Sequence, residues 1–292
     1  MIYFHLSGRL GNQLFIWASS LQITEPRKSR VLFCQDRSIK NDPEVNTDFL
    51  EFLEYIGQRN AITDKNFQSW ILQLYDFINN RSSVLGRIVC SLFELELQKG
   101  PYEYFEFSKP TKRIYRGFFQ NVTAMQKVLP KAIELIERYC DEIFQTSMVF
   151  KENPILQGDY QVIHIRRGDY LGTPFGVLDF SYYKKLLRKD LPLVICSDDS
   201  SQISKYCDFF HTQYVFTPLN SSAWEALTII SRAKSVLSSN STLSWWGAAI
   251  ANKNGYEVFL PEPWLESLAV PTENFLLTGM TKSKSLFEVS AV

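Results

Sequence analysis

Apolar and polar positions along this chain fall into two regimes. In the second half, short β-branched runs recur at intervals long enough to hold a helix between them. Val162, Ile163 and Ile165 form one such run within Tyr160–Tyr170, and Leu193–Cys196, Tyr214–Phe216, Ser235–Ser238 and Tyr256–Leu260 form the others. Each reads as a buried strand, and strands alternating with helical segments predict a parallel sheet covered on both faces. Ahead of them, Leu129, Ile133, Ile136, Cys140 and Ile143 are spaced by three and four residues, with Pro130 in the first turn, which predicts an amphipathic helix over Gln126–Phe144. The first half opens on a strand, Ile2–Leu6, and a helix beginning near Leu14-Phe15-Ile16-Trp17-Ala18. It continues through dense apolar clusters around Phe49–Leu53, Trp70–Ile78 and Ile88–Phe93, which read as helices or as an aromatic lining. Such stripes are core more often than sugar platforms. Lys112–Gln120, with Ile114, Tyr115, Phe118 and Phe119 around Gly117, reads as a further strand.

Length and charge then narrow the class. With 292 residues, 45% of them hydrophobic, the chain exceeds a usual single domain. The polar, turn-prone segment Lys151–Gly158 divides it into domains 1–153 and 154–292. Lys+Arg and Asp+Glu both number 31, and the one dense basic patch, Arg27-Lys28-Ser29-Arg30, is too short for a nucleic-acid stripe. Nucleic acid is excluded as a partner on this reading. The five scattered cysteines lack CxxC spacing, which fits reduced core thiols rather than a disulfide frame or a zinc site. No signal peptide and no run of about 18 apolar residues is present, so a cytoplasmic protein is expected.

The chemistry gathers at strand ends. Tyr160–Ile165 leads into Arg166, Arg167, Gly168 and Asp169. Two guanidiniums beside a carboxylate at the carboxyl end of a strand suit a phosphate or pyrophosphate, because the planar fork offers paired charge-assisted hydrogen bonds. If the chain stays extended through Arg167, His164 and Arg166 share one face, and Arg167 braces the other. A structural Arg–Asp ion pair is the competing reading. Two further polar clusters, Ser197-Asp198-Asp199-Ser200 and Ser239-Asn240-Ser241-Thr242, fall at the ends of later strands, where open α/β sheets bind ligands. Either could instead cap the helix that follows it. In the first half, Ser7-Gly8-Arg9-Leu10-Gly11-Asn12-Gln13 joins strand to helix. That arrangement suits an anion, although a tight turn would explain its glycines equally well.

Taken in order, Gly8–Phe15, His164–Tyr170, Ser197–Asp199 and Ser239-Asn240-Ser241-Thr242-Leu243-Ser244-Trp245-Trp246-Gly247-Ala248 resemble the motifs of the α-1,2-fucosyltransferases of glycosyltransferase family 11, especially the soluble bacterial ones. Arg116-Gly117-Phe118-Phe119-Gln120 is similar to another segment of that family. The His-x-Arg-Arg-x-Asp element is shared with α-1,6- and protein O-fucosyltransferases, whereas the Asn-Ser-Thr-Leu-Ser-Trp-Trp run is more particular to the α-1,2 group.

The resemblance implies an α/β, GT-B-like fold of two Rossmann-like domains facing a central cleft, the first serving the acceptor and the second binding GDP-fucose. It also implies inverting, metal-independent transfer of fucose to a galactose-terminated glycan, with no cofactor beyond the donor. The sequence agrees in lacking any Asp-x-Asp. Carried over by position, Arg166 would hold the β-phosphate, with His164, Arg167 and Asp169 around it. Asp198, Asp199, Asn240, Ser241 and Thr242 would line the donor site, and Gly8, Gly11, Asn12 and Gln13 would close over it. Related enzymes often carry Asp where Ala226 aligns, so guanine reading falls to Glu225 or to another group. A carboxylate beside two arginines stays ionised and is a weak base, so Asp169 is read first as an orienter. A lipid-linked acceptor would bring peripheral contact with a membrane.

Overall fold

The computed structural model describes residues 2–23, 31–35, 43–63, 88, 91–92, 95–97, 102, 104–105, 114–267 and 270–288. The apolar cluster expected at 70–78 and the basic patch at 27–30 lie outside them. The chain divides into two compact units, 1–132 and 133–292.

The first unit is built on a parallel five-stranded sheet in the order β3-β2-β1-β5-β4. Its strands are β1 (Ile2–Leu6), β2 (Val31–Gln35), β3 (Ile62–Thr63), β4 (Leu95–Leu97) and β5 (Ile114–Arg116). Helices α1 (Leu10–Ser20) and α2 (Pro43–Tyr55) follow β1 and β2. Helix α1 is buried on nearly every side, with the Trp17 ring edge-on to Phe52 of α2 at 4.9 Å. The fifth strand stops at Arg116, short of the expected Gln120. A bend at Gly117 ends the strand, and Phe119 beyond it adopts a left-handed backbone (φ 53°). After it comes α3 (Val122–Met125), capped by the Asn121 side chain.

The expected amphipathic helix is α4 (Leu129–Thr146), with Leu129, Ile133, Ile136 and Cys140 buried as the spacing predicts. It lies mostly in the second unit. Tyr139 meets Trp224 edge-on at 4.7 Å, Asp141 pairs with Arg232 at 3.0 Å, and Glu137 accepts from Asn254 at 2.8 Å. These contacts place the division at 132/133 rather than at the polar segment near 153, where α5 (Met148–Glu152) ends.

Six parallel strands make the second sheet: β6 (Gln161–Ile165), β7 (Leu193–Ser197), β8 (Val215–Phe216), β9 (Ser235–Leu237), β10 (Glu257–Glu262) and β11 (Thr281–Lys284). Between them run α6 (Phe180–Lys184), α7 (Ile203–Phe210), α8 (Ala223–Arg232) and α9 (Thr242–Lys253). The spatial order β11-β10-β9-β6-β7-β8 is the doubly wound Rossmann order. Strand β6 is buried at all five positions, as a central parallel strand requires. Its C-terminal half joins a core of Leu178, Phe180, Tyr183, Ile195, Tyr206 and Leu237. Both units are thus Rossmann-like α/β units, as expected. No described helix is long and apolar enough to cross a membrane. Among the described residues, burial raises the thiols of Cys34 and Cys140 to about 12 and that of Cys196 further, leaving them unreactive.

Candidate active site

The strand β6 ends at Ile165, so the extended alternation does not continue through Arg167 as expected. Asp198, just past the end of β7, diverts the chain. Its Oδ1 accepts the backbone N–H groups of Arg167 (2.7 Å) and Gly168 (3.2 Å), and a tight turn over Gly168–Tyr170 follows. A side chain at 168 would bring its Cβ to 3.0 Å from Asp198 Oδ2, so glycine fits here by close approach.

The turn sends the two guanidiniums to different carboxylates. Arg166 donates from Nη2 to Asp169 Oδ2 at 2.7 Å, and its Nη1 lies 3.1 Å from Asp198 Oδ2. Its charged carbon stands 5.3 Å from the centroid of the Tyr170 ring. Arg167 pairs through Nη1 with Glu288, and its Nε lies 3.4 Å from Asp199 Oδ2. Asp199 serves twice, since its Oδ1 also accepts from the Ser201 N–H at 3.0 Å and caps the next helical turn. The capping reading and the ion-pair reading of this cluster both hold.

Charge decides what the cluster can accept. Two arginines face four carboxylates, Asp169, Asp198, Asp199 and Glu288. An entering diphosphate would therefore compete with a carboxylate for Arg166. Asp169 is the one to yield, because its side chain is 48% exposed against 10% for Asp198. Oxygens placed where the Asp169 carboxylate now sits would meet the guanidinium fork directly.

Next to this cluster the strand order reverses, between β6 and β9. His164 Nδ1 and Ser239 Oγ share a 2.6 Å hydrogen bond across that point. Burial lowers the imidazole pKa to about 4, opposed by Asp198 and reinforced by the Arg166 charge, so the ring is neutral near pH 7. The Tyr170 hydroxyl donates to the Asn240 carbonyl at 3.1 Å, tying the arginine turn to the loop after β9. The Asn240 Nδ2 donates to the carbonyls of Phe175 (3.0 Å) and Gly176 (3.1 Å), while its Oδ1 is buried without a hydrogen-bond partner. Ser241 is the N-cap residue of α9 but makes no side-chain cap, and Thr242 opens the helix. A hydroxyl and a helix start at a switch point suit a phosphate or nucleoside.

The loop of the first unit has its own geometry. Gly8 has φ +71°, and a Cβ there would come within 2.1 Å of Asn12 Nδ2, so the glycine is required by both backbone and packing. Gln13 Nε2 donates to the Gly8 carbonyl at 3.0 Å, and its buried Oε1 has no hydrogen-bond partner. Gly11 is buried in the first turn of α1. Asn12 Oδ1 accepts from Gln120 Nε2 at 2.8 Å, a bond between the first turn of α1 and the loop that follows β5.

Glu225 is drawn elsewhere. It completes a capping box with Ser222 at the start of α8, and its other oxygen accepts from Ser147. Both carboxylate oxygens hold structure, which argues against Glu225 as the reader of guanine. Sequence reasoning did not single out Glu288, because a pairing between positions 167 and 288 leaves no local signal. Ser239 was visible only as a member of a polar cluster.

A model of glycosyl transferase family 11 matches residues 103–268, more than half of the chain. The chain belongs to glycosyl transferase family 11. The matched region contains the arginine turn, Asp198, Asp199 and the Asn240–Thr242 loop, while the Gly8–Gln13 loop lies outside it. This glycosyltransferase is 27% identical over 295 residues to the O-antigen biosynthesis glycosyltransferase WbnK of Escherichia coli, covering 90% of this chain and 94% of the relative. Among solved structures it is similar to the fucosyltransferase NodZ from Bradyrhizobium, at 12% identity and a TM-score of 0.42, over 84% of this chain and 92% of that one. It is also similar to an Arabidopsis thaliana FUT1 variant in complex with GDP, at 11% identity and a TM-score of 0.43, over 85% of this chain and 68% of that one.

Proposed function

We propose that this family 11 enzyme transfers L-fucose from GDP-fucose to the 2-hydroxyl of a terminal galactose on an oligosaccharide or surface glycan, with inversion and without a metal. The observation that carries this reading is the Arg166 guanidinium. It sits at the switch point of a Rossmann sheet and is bound to an exposed carboxylate that a phosphate can replace.

In this mechanism the bond from fucose C1 to the β-phosphate oxygen breaks, and the electron pair leaves on GDP. Arg166 meets the charge growing on that oxygen, and a preorganised donor of this kind commonly supplies the largest share of catalysis. Neutral His164, held by Ser239, shapes the wall behind the arginines, and Arg167 with Asp198 and Asp199 fixes the turn. Asn240, Ser241 and Thr242 line the donor site. The acceptor hydroxyl oxygen attacks C1 from the opposite face and releases its proton to solvent water as the new glycosidic bond forms. An oxocarbenium-like transition state places little demand on a base, so Asp169 orients rather than deprotonates. Gly8, Gly11, Asn12 and Gln13 are assigned to the donor in this reading by their match to the family's motif.

The name of the E. coli relative supports a surface-glycan acceptor, reached from the cytoplasm and, where lipid-linked, at the membrane face. The chief alternatives are another linkage, another GDP-sugar, or a silent glycan- or nucleotide-binding protein. GDP release measured with and without galactosides separates enzyme from binder. NMR assignment of the glycosidic linkage in the product then decides among the enzymes, and a linkage other than α-1,2 to galactose would overturn the finer assignment.

A further inference from the structure

The last described residues fold back over the arginine turn. After β11, the Ser285 N–H donates to the Glu262 carbonyl at 2.7 Å. The Leu286 carbonyl then accepts from Asp179 N–H, and Glu288 N–H donates to the Val177 carbonyl, both at 2.8 Å. Between them Phe287 bridges antiparallel to Leu178. The segment so captured, 175–179, begins with the two carbonyls that Asn240 grips. Gly176 (φ +73°) lies close enough that a Cβ there would come within 2.7 Å of the Phe287 ring. A strap of four residues thus delivers the Glu288 carboxylate to Arg167.

We propose that Glu288 is a positioning residue for the donor's phosphate site. It acts through Arg167, and the inference rests on the GDP-sugar reading above. Arg167 is well buried and has one other carboxylate, Asp199, at 3.4 Å without hydrogen-bond geometry. The Arg167 N–H holds Asp198 Oδ1, and Asp198 Oδ2 holds Arg166. Glu288 therefore anchors a relay that runs from the tail to the phosphate-binding guanidinium. Removing its charge leaves a partly buried guanidinium short of a partner, and that guanidinium becomes free to compete for the carboxylates that aim Arg166.

The test compares wild type with Glu288→Gln, Glu288→Ala and Glu288→Asp, by calorimetric titration with GDP, by thermal unfolding, and by kcat and KM for donor and acceptor. The Gln and Ala variants should bind GDP about tenfold more weakly, the effect of losing one well-placed charged partner. Donor KM should rise in step, acceptor KM should stay at the wild-type value, and Asp should recover part of the loss. Glu288→Gln keeps the shape and the oxygen acceptor, so it carries the test if Glu288→Ala does not fold. Variants that bind GDP within twofold of wild type would overturn the role of Glu288 while leaving the functional reading intact. So would equal losses of donor and acceptor affinity that Asp does not rescue. A wild-type chain that ignores GDP would overturn both.

Discussion

His164 of β6 and Ser239, just past the end of the neighbouring β9, lie 75 positions apart in sequence, and their side chains meet at 2.6 Å where the sheet changes direction. The neutral imidazole is the form that this buried pair favours. In the unfolded chain His164 titrates near 6.5, whereas in the folded chain it titrates near 4. Between those values the unfolded state binds more protons, so the stabilisation is complete above about pH 6.5 and is lost as pH falls toward 4. The full contribution is about 3 kcal/mol from the 1.36 kcal/mol carried by each pKa unit. Urea unfolding at pH 7 and at pH 4.5 should show this loss in wild type and a smaller one in His164→Gln. Equal losses in the two proteins would remove His164 as the cause.

Arg166→Lys should be nearly as damaging as Arg166→Ala. Both terminal nitrogens of Arg166 are engaged, one with Asp169 and one with Asp198, and an ammonium cannot reproduce that fork. Turnover should fall by about 10² to 10³ in either variant, as for other donors to a transition-state oxyanion. A lysine enzyme within a few-fold of wild type would mean that point charge alone is sufficient.

Asp169→Asn should separate binding from turnover. The Asp169 carboxylate is half exposed and holds the guanidinium that a phosphate would take, so neutralising it removes a competitor. GDP should bind about two- to fivefold more tightly, the scale of an exposed ion pair. Turnover should fall, because the orienting group is gone. Weaker GDP binding in titration calorimetry would show that Asp169 supports the phosphate site rather than occupying it.

Chelation should leave activity unchanged. In the proposed mechanism the arginines, not a divalent ion, neutralise the leaving diphosphate, and the sequence has no Asp-x-Asp to hold one. Initial rates with and without EDTA would check this, and rescue of a chelated enzyme by Mn²⁺ or Mg²⁺ would show another means of neutralisation.

Gly247→Ala should destabilise the second unit although alanine favours helices. A Cβ at 247 would lie 2.6 Å from Ile230 Cγ2 and 3.1 Å from the Leu227 carbonyl, so α8 and α9 would have to part. Overpacking of this kind costs about 1–3 kcal/mol, against about 1 kcal/mol of helix propensity gained. A net loss in denaturant unfolding is expected, and a net gain would show that the helices separate easily.

Local physics made much of this protein legible from its residues. Alternating β-branched runs and helix-length spacings gave the parallel sheet of the second unit, because side-chain period and burial are properties of each segment alone. Strands β6 to β10 lie where those runs lie, and the Leu129–Cys140 stripe faces inward as its spacing requires. Arg166, Arg167 and Asp169 stood out because strand end, glycine and paired charges are adjacent in the chain. Strand β11 did not stand out, since Thr281–Lys284 is mostly exposed and carries no apolar run. Tertiary structure decided which charges meet. A bend at Gly117 ended β5 early, Asp198 turned the chain after Ile165, and Ser222 and Ser147 between them took both oxygens of Glu225. Folding also brought Ser239 to His164 and Glu288 to Arg167, pairings whose partners are set by strand order and by the path of the tail. An ion pair's strength depends on distance and desolvation in three dimensions, and no spacing along the chain encodes either.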